Sequence, residues 1–186
     1  MPTPLELSSP TPSFPITPFA NGVALAANHA RAIQHVRLTL TNVVLTITDS
    51  LAYGSVKLGY IPDVNAICLG GEANLTCVKD GAGIVTGELP KLAIGSAAAS
   101  NATLSSTMSN IINGGATAGT ALAAGLSAPW QFHSQDNVTA IPFVGLADSP
   151  TTGIYLNAAV NPTGDGTLTI SGTIDLYFVN LGNVNS

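Results

Sequence analysis

Charge is what this chain of 186 residues has least of. Lys, Arg, Asp and Glu together make up 8% of it, against about 25% in ordinary soluble domains. The five cations, Arg31, Arg37, Lys57, Lys79 and Lys91, stand singly in a chain of net charge −5. A phosphate backbone is held by clustered Lys and Arg, so this scarcity argues against nucleic acid as a partner. Long apolar runs are missing as well, which excludes a helix of the roughly 20 apolar residues that a bilayer requires and leaves no membrane partner. The first residues, MPTPLELSSP, have neither the basic stretch nor the apolar stretch of a secretory signal, and assembly of the chain in a cytoplasm is expected. Cysteine is limited to Cys68 and Cys77, with no second pair and no histidine at metal-ligand spacing beside them. Two buried or half-buried thiols are expected, and a chain of this length needs no disulfide to hold a core.

In place of charge there is an abundance of Thr, Ser, Asn, Ala and Gly, with a mean hydropathy of +0.39. Such a surface is polar yet nearly neutral. The clearest pattern is TLTISGTIDLYFV, residues 167–179, in which Leu168, Ile170, Ile174, Leu176 and Phe178 share one parity and Thr167, Thr169, Ser171, Thr173 and Asp175 the other. Successive strand side chains point to opposite faces, so this is a half-buried strand with Asp175 on the wet side. In HVRLTLTNVVLTITD the apolar parity is even at Val36, Leu38 and Leu40 but odd at Val43, Leu45 and Ile47. That slip predicts a β-bulge at Asn42-Val43.

Residues 1–20 hold six prolines interleaved with Leu5, Leu7, Phe14, Ile16 and Phe19. Proline forbids helix and removes ladder donors, so the segment is extended, and its spaced apolar residues mark it as an arm that docks, with Phe14, Ile16 and Phe19 as its anchors. VALAANHARAIQ, residues 23–34, has the composition of a short helix. Pro62 breaks or edges the pairing of the strands around it. Leu104, Met108, Ile111 and Ile112 are spaced i, i+4, i+7, i+8 ahead of Asn113-Gly114-Gly115, which predicts an inserted helix over about 97–113. Short strands and glycine-rich turns around a single helix give a mainly β fold, an antiparallel β-sandwich or jelly roll. The expected division is an extended N-terminal arm, residues 1–34, and a β-sandwich domain, residues 35–186.

No constellation announces a reaction. Gly125-Leu-Ser127-Ala-Pro129 misses the nucleophile elbow by its last residue and lacks the α/β pattern around it. Gly81-Ala-Gly83 has neither the third glycine of a dinucleotide loop nor the lysine of a phosphate loop, and reads as a turn. His29, His35 and His133 are not spaced as ligands, and the carboxylates are scattered along the chain. Three Asn-x-Thr triplets, at Asn74, Asn101 and Asn137, are as many as these residue frequencies give by chance. No enzyme, no cofactor and no metal are expected.

Two stretches carry a resemblance. LGYIPDVNAICLGG, residues 58–71, with its Ile-Pro and its aliphatic run into Gly-Gly, and GTLTISGTIDLYFVNLG, residues 166–182, resemble segments of β-sandwich virion proteins of tailed bacteriophages. The resemblance covers roughly residues 36–182 and extends to neither the arm nor the 97–113 segment. It implies a jelly-roll head protein on the capsid surface, a decoration or cement protein that bridges subunits of the major capsid protein and associates with its own copies as a trimer. A tail or fibre module that binds glycans is the competing expectation, with Trp130, Tyr53, Tyr60 and Tyr155 as the aromatic residues to stack on sugars.

Overall fold

Alternating side chains dictate two layers of strands, one of them unusually long. The computed structural model describes residues 17–18, 23–28, 33–60, 64–88, 90–113, 128–133, 141–144 and 153–183. Its strands are β1 (Thr17–Pro18), β2 (Val23–Asn28), β3 (Ile33–Ile47), β4 (Tyr53–Tyr60), β5 (Val64–Asp80) and β6 (Lys91–Gly95). They continue with β7 (Ile112–Asn113), β8 (Ala128–His133), β9 (Ile141–Val144), β10 (Gly153–Ala159) and β11 (Gly166–Asn183). A short sheet has the order β1-β4-β10-β6-β7, and a long sheet the order β2-β3-β11-β5-β8, with β9 also paired to β5. Every pairing among these strands is antiparallel. The architecture is mainly β and sandwich-like, as the alternation predicts.

The core lies between the sheets. From the long sheet, Leu38, Leu45, Leu75, Leu168, Ile170, Ile174, Leu176 and Phe178 are fully buried, and from the short sheet Leu58, Ile94, Ile154 and Leu156 meet them in one cluster. Each such side chain contributes about 1.5–3 kcal/mol by leaving water. The parity slip in β3 is a bulge, as expected: Ile170 faces Val43 while Gly172 faces Leu40, so Thr41 and Asn42 together stand against Ser171. Asn42 takes a positive φ of 54° there, and its N–H donates to Ser171 Oγ at 2.9 Å. Opposite it, Gly172 has φ 133° and lies so close to the Asn74 carbonyl that a Cβ would sit 2.2 Å from that oxygen. Only glycine fits.

A second bulge escapes the sequence reading. Tyr177 faces Gly70 but Phe178 faces Cys68, so Leu69 is an extra residue in β5. The buried parity of β5 changes across it, from Ala66 and Cys68 to Ala73, Leu75 and Cys77.

Three expectations need correction or placing. Residues 97–113 contain no α-helix: the segment is irregular, with one 3-10 turn at Ser106–Met108 and the short strand β7. Its helical spacing of Leu104, Met108, Ile111 and Ile112 marks buried anchors, while Leu104 and Ser106 take positive φ angles of 51° and 59° that no helix admits. The polar backbone is satisfied by tertiary partners, which Ser- and Asn-rich segments accept readily: Ile111 N–H donates to the Ile94 carbonyl, and Asn157 Nδ2 donates to the carbonyls of Ala97 and Met108. Of the helix expected over 23–34, residues 23–28 are instead β2 and residues 33–34 begin β3, because β2 finds a ladder partner in residues 35–40. Of the segment 1–34 expected as an arm, residues 17–18 pair with β4 and residues 23–28 with β3. The anchors Phe14, Ile16 and Phe19 lie outside the described residues.

Candidate interaction surface

The outer faces of the two sheets differ. On the short sheet, Asn157 projects outward from β10 and is nevertheless 0% exposed, because the 96–111 segment lies over it. Its Oδ1 accepts from Ser55 Oγ at 2.6 Å and from Ala99 N–H at 2.9 Å, while its Nδ2 donates to Ala97 O at 3.0 Å and Met108 O at 2.7 Å. Ala93, Leu104 and Ala159 form a small apolar cluster beneath the same cover, with Tyr53 packed against it. This face is closed by the chain itself.

The long sheet has no such cover among the described residues. Its three central strands, β3, β11 and β5, have 15, 18 and 17 residues, where strands usually have 3–10. At about 3.3 Å per residue β11 spans roughly 60 Å. The outward residues are Thr39, Thr41, Val44 and Thr46 on β3, Asn74 and Thr76 on β5, and the expected Thr/Ser row on β11. Val44 is 53% exposed. The face is wide, rich in hydroxyls and almost without charge.

Titratable residues share one row of the strand register. Arg37 on β3 faces Asp175 on β11, and Asp175 faces Glu72 on β5, which in turn faces His133 on β8. Asp175 has the outward parity expected of it, yet it is only 4% exposed, since Arg37 and His35 reach over it. Arg37 Nε donates to Asp175 Oδ1 at 2.7 Å and Arg37 Nη2 to Oδ2 at 2.9 Å, and His35 Nε2 meets Oδ1 at 2.5 Å. Burial pushes the Asp175 carboxyl up, but the hydrogen bonds and charges of Arg37 and His35 outweigh it and hold the group below its usual range. The Asp175 oxygens are thus committed to structure. Beside the row, the Tyr177 and His35 rings stack with centroids 5.2 Å apart and planes at 21°. Tyr177 is 37% exposed, and the bulge residue Leu69, next to it in register, is 42% exposed. The distances between Arg37, His35, Asp175, Glu72 and Leu69 along the chain hide this grouping; only the pairing of β3, β11 and β5 assembles it.

The remaining candidates fall elsewhere. Cys68 and Cys77 are buried free thiols, as expected, and burial pushes them up to about 11 and about 12. Neither is nucleophilic near neutrality. Gly81 and Gly87 sit in a turn with φ angles of 87° and 95°, in line with the turn reading of that stretch. Tyr53 and Tyr155 are half-buried, the latter under the Lys57 ammonium at 5.8 Å. The side chains of Tyr60, Trp130 and His133 lie outside the described residues, as do His29 and Ser127. Among the described residues no three His, Cys, Asp or Glu side chains converge on a metal position, and no helix is long and apolar enough to cross a membrane. Comparison with protein-family models, with curated proteins and with solved structures finds no match to the chain.

Proposed function

We propose that this chain is a non-enzymatic structural subunit of a phage virion, a jelly-roll decoration or cement protein on the outside of the head. It is assembled in the host cytoplasm and bridges subunits of the major capsid protein while associating with its own copies as a trimer. The observation that carries the reading is the outer face of the long sheet: a broad surface of Thr, Ser and Asn with exposed Val44, Leu69 and Tyr177 and a single ionic row. Such a face binds by area. Hydroxyls and apolar side chains cost little to dehydrate, whereas each unpaired charge taken out of water costs several kcal/mol. A face this neutral also opposes self-association weakly.

The proline-rich residues 1–16, with Phe14 and Ile16, serve as the anchor. Their removal leaves every described strand in place, so the shortened chain is expected to fold and to lose its retention on heads when particles are pelleted and the bound chain is measured. Retention equal to that of the full chain would reject the reading. The glycan-binding alternative has less behind it, because Tyr53 and Tyr155 are half-buried against their own sheet.

A further inference from the structure

Three neighbouring strands of the short sheet end around a cleft of about 260 Å³. Ala52 precedes β4, Lys91 opens β6 and Ala159 closes β10, with Glu88, Ala102 and Val160 completing the lining. Backbone hydrogen bonds hold these walls. Ala159 pairs with Tyr53 on one side and Lys91 on the other. Ala52 takes a φ of 59°, and its carbonyl accepts from Val160 N–H at 3.0 Å. Glu88 N–H donates to the Val85 carbonyl at 3.4 Å, and Ala102 sits in a turn that Leu104 N–H closes onto the Asn101 carbonyl, also at 3.4 Å.

The floor of the cleft is apolar, since Ala159 and Val160 are buried. Its walls carry one charge of each sign, Glu88 and Lys91, both half-buried. No ion pair joins the two, and neither side chain has a polar partner among the described residues. The other cations there are engaged: Arg37 with Asp175, Lys79 with the Ile84 carbonyl, and Lys57 over the Tyr155 ring.

This combination selects a ligand by what it repels. Glu88 disfavours an anion held by Lys91 alone, and Lys91 disfavours a cation held by Glu88 alone. Among the described residues no aromatic ring lines the cleft, so a sugar or a flat base has nothing to stack on. A molecule with one charge of each sign and a small aliphatic body suits both walls and the floor. The volume falls just under the roughly 300–1,000 Å³ of sites for drug-sized ligands, which limits the occupant to something smaller.

We propose that this cleft binds a free amino acid with a small aliphatic side chain, its carboxylate on Lys91, its ammonium on Glu88 and its side chain against Ala159 and Val160. The site is independent of the structural-subunit reading, because it lies on the short sheet and uses none of the long-sheet face. The test is a titration of L-valine into the full chain, followed by its backbone amide NMR signals. Those of Ala52, Ala102 and Val160 are expected to move saturably with a Kd on the order of 1 mM, as so small a ligand allows, while those of Val44 and Tyr177 stay in place. Isovalerate and isobutylamine, which carry one charge each on a similar body, bind at least about fivefold more weakly. Lys91→Met and Glu88→Gln each weaken L-valine about three- to tenfold, the range of a charge-assisted contact at a half-exposed site. The proposal is overturned by the absence of a saturable shift at these amides, by equal binding of L-valine and either singly charged analogue, or by a loss in only one of the two variants.

Discussion

The short sheet and the long sheet both present an outer face with a buried polar group, and they cover it by opposite means. On the short sheet Asn157 is closed over by the 96–111 segment of the same chain, and its hydrogen bonds tie that segment down. On the long sheet, among the described residues, Asp175 is shielded by the side chains of Arg37 and His35, and exposed side chains surround it. A buried neutral amide needs a full set of protein partners, whereas the Asp175 carboxylate is satisfied by the side chains of Arg37 and His35. The short sheet's outer face is thus closed by the chain itself, while the long sheet's outer face stays open among the described residues.

Substitutions at the two polar groups separate these roles. Asn157→Ala has the larger effect, about 2–4 kcal/mol, because the Ala97 and Met108 carbonyls and the Ala99 N–H lose a buried partner together. Urea unfolding should show that loss, and hydrogen exchange should show residues 96–111 opening while β3 and β11 stay protected. Uniform loosening of both sheets would dissolve the distinction. Asp175→Asn has a smaller effect with a signature in pH. Because the folded Asp175 carboxyl titrates below its unfolded value, its stabilisation is complete above about pH 4, the unfolded pKa, and is lost as pH falls through the folded one. The stability gap between the natural chain and Asp175→Asn is thus constant from neutrality to about pH 5 and closes on further acidification; a gap that widens in acid contradicts the ion-pair assignment. Smallest is Val44→Ser, within about 0.5 kcal/mol, as befits a half-exposed side chain with no structural partner to lose.

The parts of this architecture written in strict alternation were legible in the sequence. Leu168 to Phe178 and the parity slip at Asn42-Val43 fix both the central strand and its bulge, since a period of two has no other reading over that length. The 97–113 segment misled because buried anchors at Leu104, Met108, Ile111 and Ile112 imitate a helical stripe, while the backbone partners that displace the helix, Asn157 and β6, are distant in sequence. The ionic row was invisible for the same reason: Arg37 and Asp175 are 138 residues apart and meet only through the register of β3 and β11. Leu69 carried a readable signal, the parity change in β5 between Cys68 and Ala73, next to Gly70-Gly71.

Hydroxyl-radical footprinting of the full chain, dilute and then associated, tests most directly whether the long sheet's outer face is the contact surface. Labelling of Tyr177 and Leu69 is predicted to fall several-fold on association while Leu51 and Val85, exposed in the connecting turns, keep their reactivity. Unchanged labelling of Tyr177 and Leu69, with protection appearing elsewhere, would contradict it.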